Sequence, residues 1–316
     1  LPGVAVQHCA GPRFPIVLSN LLSAADGKPV FAPWRVLTRT VKVTTADGRT
    51  LDASLRIGVL GFTPPPIMDW DQRNLDGKVG LMGVVEGALK DLPALRAQHP
   101  DLIVAIVHGG LSSSPYTARM ENAGWYLAQV PGIDVLLLGH VHTTFPGTHY
   151  AGMPDVDAVR GTVHGVPAVM AGLFGKDLGL VHLQLRRAHG RWVSERRQAR
   201  SEVRPICSGK DHCVPADPAI APLVAKAHKA AIAYVNTPIG RSAFRMSSYF
   251  ADLGDVSSLS VVNAAQAEYV RRAIARAHPE LAGIPVLSAA AAFRNGVAGA
   301  DDYTDVAAGA LTLRHA

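Results

Sequence analysis

The chain has 316 residues, and a soft prior of about 150 residues per domain predicts roughly two domains, each able to bury a core. Hydrophobic residues make up 48% and charged residues 18%, which excludes a disordered polar tail and indicates a globular α/β protein. The apolar runs have the length of strands, so no membrane span is predicted. The net charge of +6 suits an anionic partner, but scattered basic residues with few aromatic neighbours argue against a nucleic-acid polymer.

Strand and turn signals dominate the first third of the chain. The predicted strands are residues 14–18, 34–43, 51–55 and 56–62. The turn residues Asp47 and Gly48 predict a hairpin, and three prolines at 64–66 require a loop. Apolar residues at helical spacing predict a helix over 84–98. A β-branched strand over 102–107 follows and ends in a His-Gly-Gly motif at 108–110.

The same cycle of helix and strand then repeats. A helix over 116–129 leads to a strand over 133–138, which is followed by Gly-His-Val-His at 139–142. A long amphipathic helix over 219–235 predicts a connector between domains. The remaining predicted elements are strands over 168–170, 180–185 and 191–193, a hairpin turn at His189, a helix over 261–277, and strands over 285–288 and 310–313.

Three histidines follow two of the buried strands. His108 comes after the first strand, and His140 and His142 come after the second. Ligands gather at the carboxyl ends of strands in open α/β sheets, and imidazole nitrogens bind zinc, manganese or iron. A lone histidine in such a place is more often structural, but three on equivalent loop ends favour a metal site. If residues 139–142 are extended, alternate side chains face one side, so His140 and His142 would address one site.

Five stretches of sequence resemble the calcineurin-like metallophosphoesterases of the 5'-nucleotidase family. Within that family, the similarity is greatest to the branch that acts on 2',3'-cyclic nucleotides and 3'-nucleotides. The resemblance implies an α/β fold: part of a layered sandwich of mixed sheets with flanking helices, plus the start of an α/β carboxy-terminal domain. It places the partial metallophosphoesterase domain at 1–217, a linker helix at 218–237 and the partial carboxy-terminal domain at 238–316. The stretches are residues 57–79, 104–116, 121–147, 164–172 and 285–293.

The resemblance also implies an activity and its cofactors. The implied reaction is metal-dependent hydrolysis of nucleotide phosphoesters with two divalent cations, which are Mn, Zn, Co or Mg in the family. By motif matching, His108 and His140 correspond to ligands of one ion and His142 to a ligand of the other. The implied partner is a small-molecule nucleotide, and the implied location is periplasmic or exported.

Three ligand motifs of the family do not occur upstream of His108: Asp-x-His, Gly-Asp and Gly-Asn-His-Glu. Without their carboxylates and phosphate-assisting histidine, three neutral imidazoles retain at most a partial metal site, and no catalytic residue is assigned. We therefore expect weakened activity in this chain and interpret it as a fragment, a truncated product or a decayed copy. The alternatives are a nonenzymatic nucleotide- or metal-binding remnant and an unrelated hydrolase in which the histidines are structural.

The second domain contains further candidates for substrate binding. The segment from Ser288 to Arg294 resembles part of the family's nucleoside-binding domain. Phe293 offers an apolar face and Arg294 can pair with an anion, whereas Asn263 and Gln266 on the preceding helix are weaker candidates. The alternative is that the alanines pack a tight turn and Arg294 faces solvent.

Two further groups of residues invite a functional interpretation. Cys207 and Cys213 are close enough in sequence for a disulfide in an oxidising compartment. Two free thiols are the alternative, and a zinc site with His212 lacks an evident fourth ligand. The other residues are Asp69, Trp70 and Asp71, which we expect to shape a loop. His164 and Phe174 flank the segment 167–172, and Phe174 could approach the active face.

Overall fold

The computed structural model describes residues 12, 14–188, 190–209, 212–292, 294–296 and 299–315. The chain divides into two compact units, Leu1–Val214 and Pro215–Ala316. The functional boundaries expected at residues 217 and 238 stay a prediction. In the described parts of both units, no helix has the length and apolar character needed to cross a bilayer.

The first unit contains most of the strands. Its helices are α1 (Ile67–Trp70), α2 (Gln72–Leu75), α3 (Val84–Arg96) and α4 (Gly124–Leu127). Its strands are β1 (Leu21–Ser23), β2 (Trp34–Thr44), β3 (Thr50–Phe62), β4 (Val79–Leu81), β5 (Leu102–Val107), β6 (Val135–Leu138), β7 (Thr144–Phe145), β8 (Val156–Asp157), β9 (Thr162–Val163), β10 (Val166–Ala171), β11 (Asp177–His182), β12 (Leu185–Ala188), β13 (Arg191–Ser194), β14 (Arg200–Pro205), β15 (Cys207–Ser208) and β16 (His212–Cys213).

Eight strands of the described first unit form one mixed sheet in the order β2-β3-β5-β6-β10-β9-β8, with β7 paired to β10. Strands β3, β5, β6 and β10 run parallel, and β2 pairs with β3 as the predicted antiparallel hairpin. Because β5 and β6 are parallel neighbours, their carboxyl ends lie at the same edge of the sheet. This pairing brings the loops that contain the three histidines together.

One face of the sheet packs against helix α3. Alternate residues of β5 point into the core, where Ala105 is fully buried beside Leu60 of β3 and Leu136 of β6. Helix α3 contributes Leu92 and Leu95, spaced to lie on one helical face. This apolar core holds the strands rigidly beneath the loops at their carboxyl ends.

Of the alternatives left open for Cys207 and Cys213, the structure has the disulfide and not two free thiols. The two cysteines are cross-strand partners in the short hairpin of β15 and β16. The chain after the hairpin is also anchored, because the Val214 amide donates to the Ile206 carbonyl at 2.9 Å. The disulfide therefore closes the final turn of the first unit.

The second unit contains two helices and two short strand pairs in its described residues. The helices are α5 (Ala221–Val235) and α6 (Ser257–Ala277), close to the predicted ranges. Strand β17 (Pro238–Ser242) pairs antiparallel with β20 (Gly309–Thr312), and β18 (Met246–Ser247) pairs antiparallel with β19 (Asp305–Val306). Short 3₁₀ turns in the chain cover Thr148–Tyr150, Arg196–Gln198, Pro279–Leu281 and Leu313–His315.

Four predicted elements differ from the structure. The strand expected over 180–185 is interrupted, because residues 183–184 separate β11 from β12. Residues 14–18 make one bridge, Val17 to Ala32, instead of a strand, since Pro15 cannot donate to a ladder. Residues 285–288 form no ladder in the described part of the second unit. The predicted helix over 116–129 is reduced to α4, because a bridge between Leu111 and Ala123 turns the preceding segment back towards the end of β5.

Candidate active site

Three loops meet at the carboxyl ends of β5 and β6. Two hydrogen bonds connect the segment after β5 to residues 122–124. Gly110 N donates to Asn122 Oδ1 at 2.8 Å, and Gly124 N donates to the Gly110 carbonyl at 3.0 Å. The segment after β6 is attached in the same way, since Gly139 N donates to the Gly109 carbonyl at 3.2 Å. These bonds position the 108–110, 121–124 and 139–142 segments relative to one another.

Glycines allow the loops to approach this closely. A Cβ atom at Gly109 would lie 2.9 Å from the Glu121 carbonyl oxygen, and one at Gly110 would lie 2.7 Å from a methyl group of Val141. Both distances are shorter than real Cβ contacts allow, so a larger residue would push the loops apart. The glycines that the sequence placed after the strands are therefore needed for backbone approach.

The structure brings His108 and His140 into direct contact. Nε2 of His108 lies 3.3 Å from Nδ1 of His140, and the ring centroids are 4.9 Å apart. His142 is close enough to influence the charge of His108, but it is exposed and its ring lies 6.4 Å from Phe174. Residues 139–142 do not meet the condition of an extended loop, because His140 and His142 have φ angles of 75° and 59° in the left-handed region.

Two further residues surround His140. Glu121 Oε1 lies 2.6 Å from His140 Nε2, and the Trp70 ring stacks on the imidazole with a centroid distance of 5.1 Å. Sequence reasoning missed Glu121 because it lay within the predicted helix over 116–129. The stretch beginning at Glu121 belongs to the family resemblance, and that was the available signal.

The environment of His108 favours its neutral form. Desolvation lowers the pKa of His108, because removal of water disfavours the imidazolium, and the neighbouring His140 and His142 lower that pKa further. A neutral imidazole retains one nitrogen lone pair. The lone pair of His108 is therefore available to a cation near neutral pH.

The donor set fits only part of a metal site. Two nitrogens that bind one tetrahedral ion at about 2.05 Å lie about 3.3 Å apart, which matches the separation of His108 Nε2 and His140 Nδ1. Among the described residues, however, no group of three His, Cys, Asp or Glu side chains is placed to hold an ion. These residues alone therefore do not form the two-ion centre implied by the resemblance.

The remaining acidic residues near the proline loop have other partners. Asp69 forms an ion pair with Arg119 at 2.8 Å, and Asp71 accepts a hydrogen bond from the Asn74 side chain at 2.6 Å. Their contacts agree with a loop-shaping role. His164 contacts Trp125 with a ring-centroid distance of 4.4 Å, so it belongs to a different cluster from the histidine pair.

The substrate-binding candidates of the second unit are only partly described. Phe293 lies outside the described residues. Ser288 Oγ lies 3.1 Å from Asn263 Oδ1 and 2.6 Å from Gln266 Oε1, beside a groove of about 570 Å³. Arg294 bonds to the Asp301 carbonyl at 2.7 Å and faces Asp302 at 3.4 Å, so this guanidinium binds its own loop. Substrate-binding roles for these residues stay predictions.

Known relatives are enzymes of nucleotide metabolism. The chain is 40% identical over 311 residues to the 2',3'-cyclic-nucleotide 2'-phosphodiesterase/3'-nucleotidase of Salmonella typhimurium, covering 97% of this chain and 47% of that protein. It is also 40% identical over 314 residues to the Yersinia enterocolitica protein of that name, covering 98% and 47%. The chain thus spans about half the length of the curated relatives it matches. No family model matches it.

A solved structure agrees with these similarities. The crystal structure of the calcineurin-like phosphoesterase YfkN from Bacillus subtilis superposes with a TM-score of 0.62 at 29% identity. The match covers 71% of this chain and 64% of that chain. The expected resemblance and the mixed α/β fold are therefore confirmed.

Proposed function

From its similarity to enzymes that cleave nucleotide phosphoesters, we propose that the protein hydrolyses 2',3'-cyclic nucleotides and 3'-nucleotides. In this proposal His108, His140 and His142 contribute to the hydrolytic site. The supporting observation is the 3.3 Å contact between His108 and His140 at the carboxyl edge of the sheet, inside the stretches that resemble the family. This edge is where α/β folds place their ligands.

The proposed role of the histidines is to supply neutral nitrogens. Divalent cations, when bound, polarise a phosphate and provide an activated water. His108 presents a nitrogen with a lone pair, because partial desolvation and the neighbouring His140 and His142 lower its pKa and favour the neutral form. Because the described residues bring no third ligand to the pair, we propose that the hydrolytic activity of the 316-residue chain is impaired.

A phosphate-release assay with the purified 316-residue chain tests this proposal. With manganese and a 3'-nucleotide, we expect slow release that EDTA stops and that His140→Ala lowers to background. The matched control is His228→Ala, which changes an exposed histidine of α5 in the other unit and should leave the rate unchanged. If the wild type released phosphate no faster than His140→Ala, the proposed hydrolysis would be contradicted. Rapid phosphate release by the wild type would contradict the proposed impairment.

Titration calorimetry with AMP distinguishes the alternative of a binding protein that does not turn over its ligand. Nucleotide binding without release would favour that alternative, and the incomplete ligand set is the observation behind it. Metal content measured after removal of free ions provides an independent check. We expect fewer than two tightly held ions per chain, and two would contradict the proposed partial site.

The disulfide supports a proposal about location. A disulfide persists in oxidising compartments and is rare in the bacterial cytosol. The Cys207–Cys213 bond is therefore consistent with the periplasmic or exported location that the resemblance implies. Fractionation of cells that express the protein in its natural host would test it.

A further inference from the structure

We propose that Glu121 is a positioning residue that holds the proton of His140 on Nε2 and leaves the lone pair of Nδ1 directed towards His108. The inference deepens the proposed function, since it rests on His140 being a residue of the hydrolytic site. The juxtaposition that supports it is a short chain of three side chains from three different loops. In that chain, Glu121 contacts His140 and His140 contacts His108.

The chemistry of the two groups assigns the proton. An ionised carboxylate can only accept a hydrogen bond, whereas a neutral imidazole donates through one nitrogen and accepts through the other. At 2.6 Å from Glu121 Oε1, Nε2 of His140 must therefore donate. A neutral His140 then has no proton on Nδ1. The lone pair of Nδ1 points to the side where His108 Nε2 lies, 3.3 Å away.

Glu121 is held in place by the loop junction. Its carbonyl oxygen packs against Gly109, where an added Cβ would come within 2.9 Å. The next residue, Asn122, accepts a hydrogen bond from Gly110 N at 2.8 Å through its side chain. The backbone at Glu121 is thus attached to the segment that contains His108. Glu121 and His108, which both contact His140, are therefore held in place by the same loop junction.

His140 needs such a support because its backbone is strained. A φ angle of 75° is uncommon for a residue with a side chain, because the Cβ atom crowds the backbone in the left-handed region. Trp70 stacks on the ring with an angle of 19° between the planes, which restricts tilting of the imidazole. Stacking does not distinguish the two ring nitrogens, whereas the Glu121 hydrogen bond does.

This arrangement prepares the pair to share a cation. Carboxylates that bind the distal nitrogen of a ligand histidine fix its tautomer and raise its basicity. A His140 ring with its proton on Nδ1 would point that proton at His108 and block the shared position. Glu121 therefore decides whether the pair presents a lone pair or a proton at the site.

Long-range ¹H–¹⁵N correlation spectra of the ¹⁵N-labelled, metal-free chain test the inference. The His140 ring signals are assigned by comparison with His140→Gln. We expect one tautomer with the proton on Nε2 in the wild type and a mixture of tautomers in Glu121→Ala. Asp155→Asn is the matched control, because it removes a carboxylate that lies 3.7 Å from Nδ1 of another histidine, His164, and should leave His140 unchanged.

A proton on Nδ1 of His140 in the wild-type spectrum would overturn the inference. The test therefore remains decisive even if Glu121→Ala does not fold. An unchanged tautomer in folded Glu121→Ala would also overturn it. Glu121→Asp, which restores the carboxylate on a shorter side chain, should recover part of the wild-type tautomer population.

The affinity of the chain for Zn²⁺, measured by competition with a chelating dye, gives a second readout. Loss of a carboxylate behind a ligand histidine lowers metal affinity by about 10- to 100-fold, and we expect that loss in Glu121→Ala but not in Asp155→Asn. Unchanged affinity in Glu121→Ala would overturn the positioning role. A wild-type chain that binds no Zn²⁺ but keeps the Nε2 proton would contradict the metal site of the proposed function and support the assignment of Glu121.

Discussion

Replacing Gly109 with alanine should disturb the loop junction and the histidine pair together. The new Cβ atom would lie 2.9 Å from the Glu121 carbonyl oxygen, whereas ordinary contacts begin near 3.4 Å, so about 0.5 Å must be gained by backbone movement. A shift of that size would lengthen the 2.6 Å contact of Glu121 with His140 to as much as about 3.1 Å, which weakens the hydrogen bond without breaking it. Overpacking of this kind costs about 1–3 kcal/mol.

Tryptophan fluorescence during urea unfolding measures this cost. All four tryptophans of the sequence lie in the first unit, so their signal reports on that unit alone. They are Trp34, Trp70, Trp125 and Trp192.

Gly80→Ala is the matched control for Gly109→Ala. Nothing lies within 4 Å of a Cβ atom added at Gly80 in β4, and its stability should stay within about 0.5 kcal/mol of the wild type. The preference of His140 for a proton on Nε2 should also weaken in Gly109→Ala. Equal stability of the two alanine variants, with an unchanged tautomer, would refute the close-approach argument.

Three other predictions concern stability. Asp91 is buried, its Oδ2 has no hydrogen bond in the described structure, and burial raises the pKa of the carboxyl, so ionisation destabilises the fold as the pH rises through that pKa. Asp91→Asn should therefore be more stable than the wild type at neutral pH and should lose that advantage in acid. Urea unfolding midpoints measured across pH test this. Replacing Cys207 and Cys213 with serine opens a loop with a sequence separation of 6 and should lower the free energy of unfolding by roughly 2 kcal/mol. A reductant should lower the urea midpoint of the wild type by the same amount and leave that of the variant unchanged. Trp192→Phe removes the indole hydrogen bond to the Ser54 carbonyl at 2.9 Å and should lower the free energy of unfolding by about 1 kcal/mol, measured with guanidinium. An unchanged free energy of unfolding would contradict a stabilising role for that bond.

Local patterns predicted the regular elements well where burial and periodicity agree. The β2–β3 hairpin, the buried strands β5 and β6 and the long helices α5 and α6 follow from alternation, turn residues and helical spacing. The failures lie where tertiary contacts compete with local preference. Residues 116–123 have helical spacing, yet the Leu111–Ala123 bridge and the bonds to Gly110 take up backbone groups that a helix would use.

The candidate site divides in the same way. The repeated cycle of helix and strand and the two histidine motifs predicted that His108 and His140 lie at the carboxyl ends of strands, and the structure brings them into contact. The extended conformation on which a shared site for His140 and His142 depended is not formed, because residues 139–142 turn sharply, with left-handed residues at both histidines. Glu121 could not be predicted as a neighbour of His140, since the two are 19 residues apart and neither lies in a regular element.

The chemical groups at the ends of the strands can be read from the amino-acid order, because alternation and glycine placement are local properties of the chain. The folded loops set which nitrogen of His140 contacts Glu121 and which contacts His108. Side-chain directions in irregular loops depend on a few backbone angles and on contacts between distant segments. Here those contacts are the glycine approaches and hydrogen bonds that join three loops above a buried sheet.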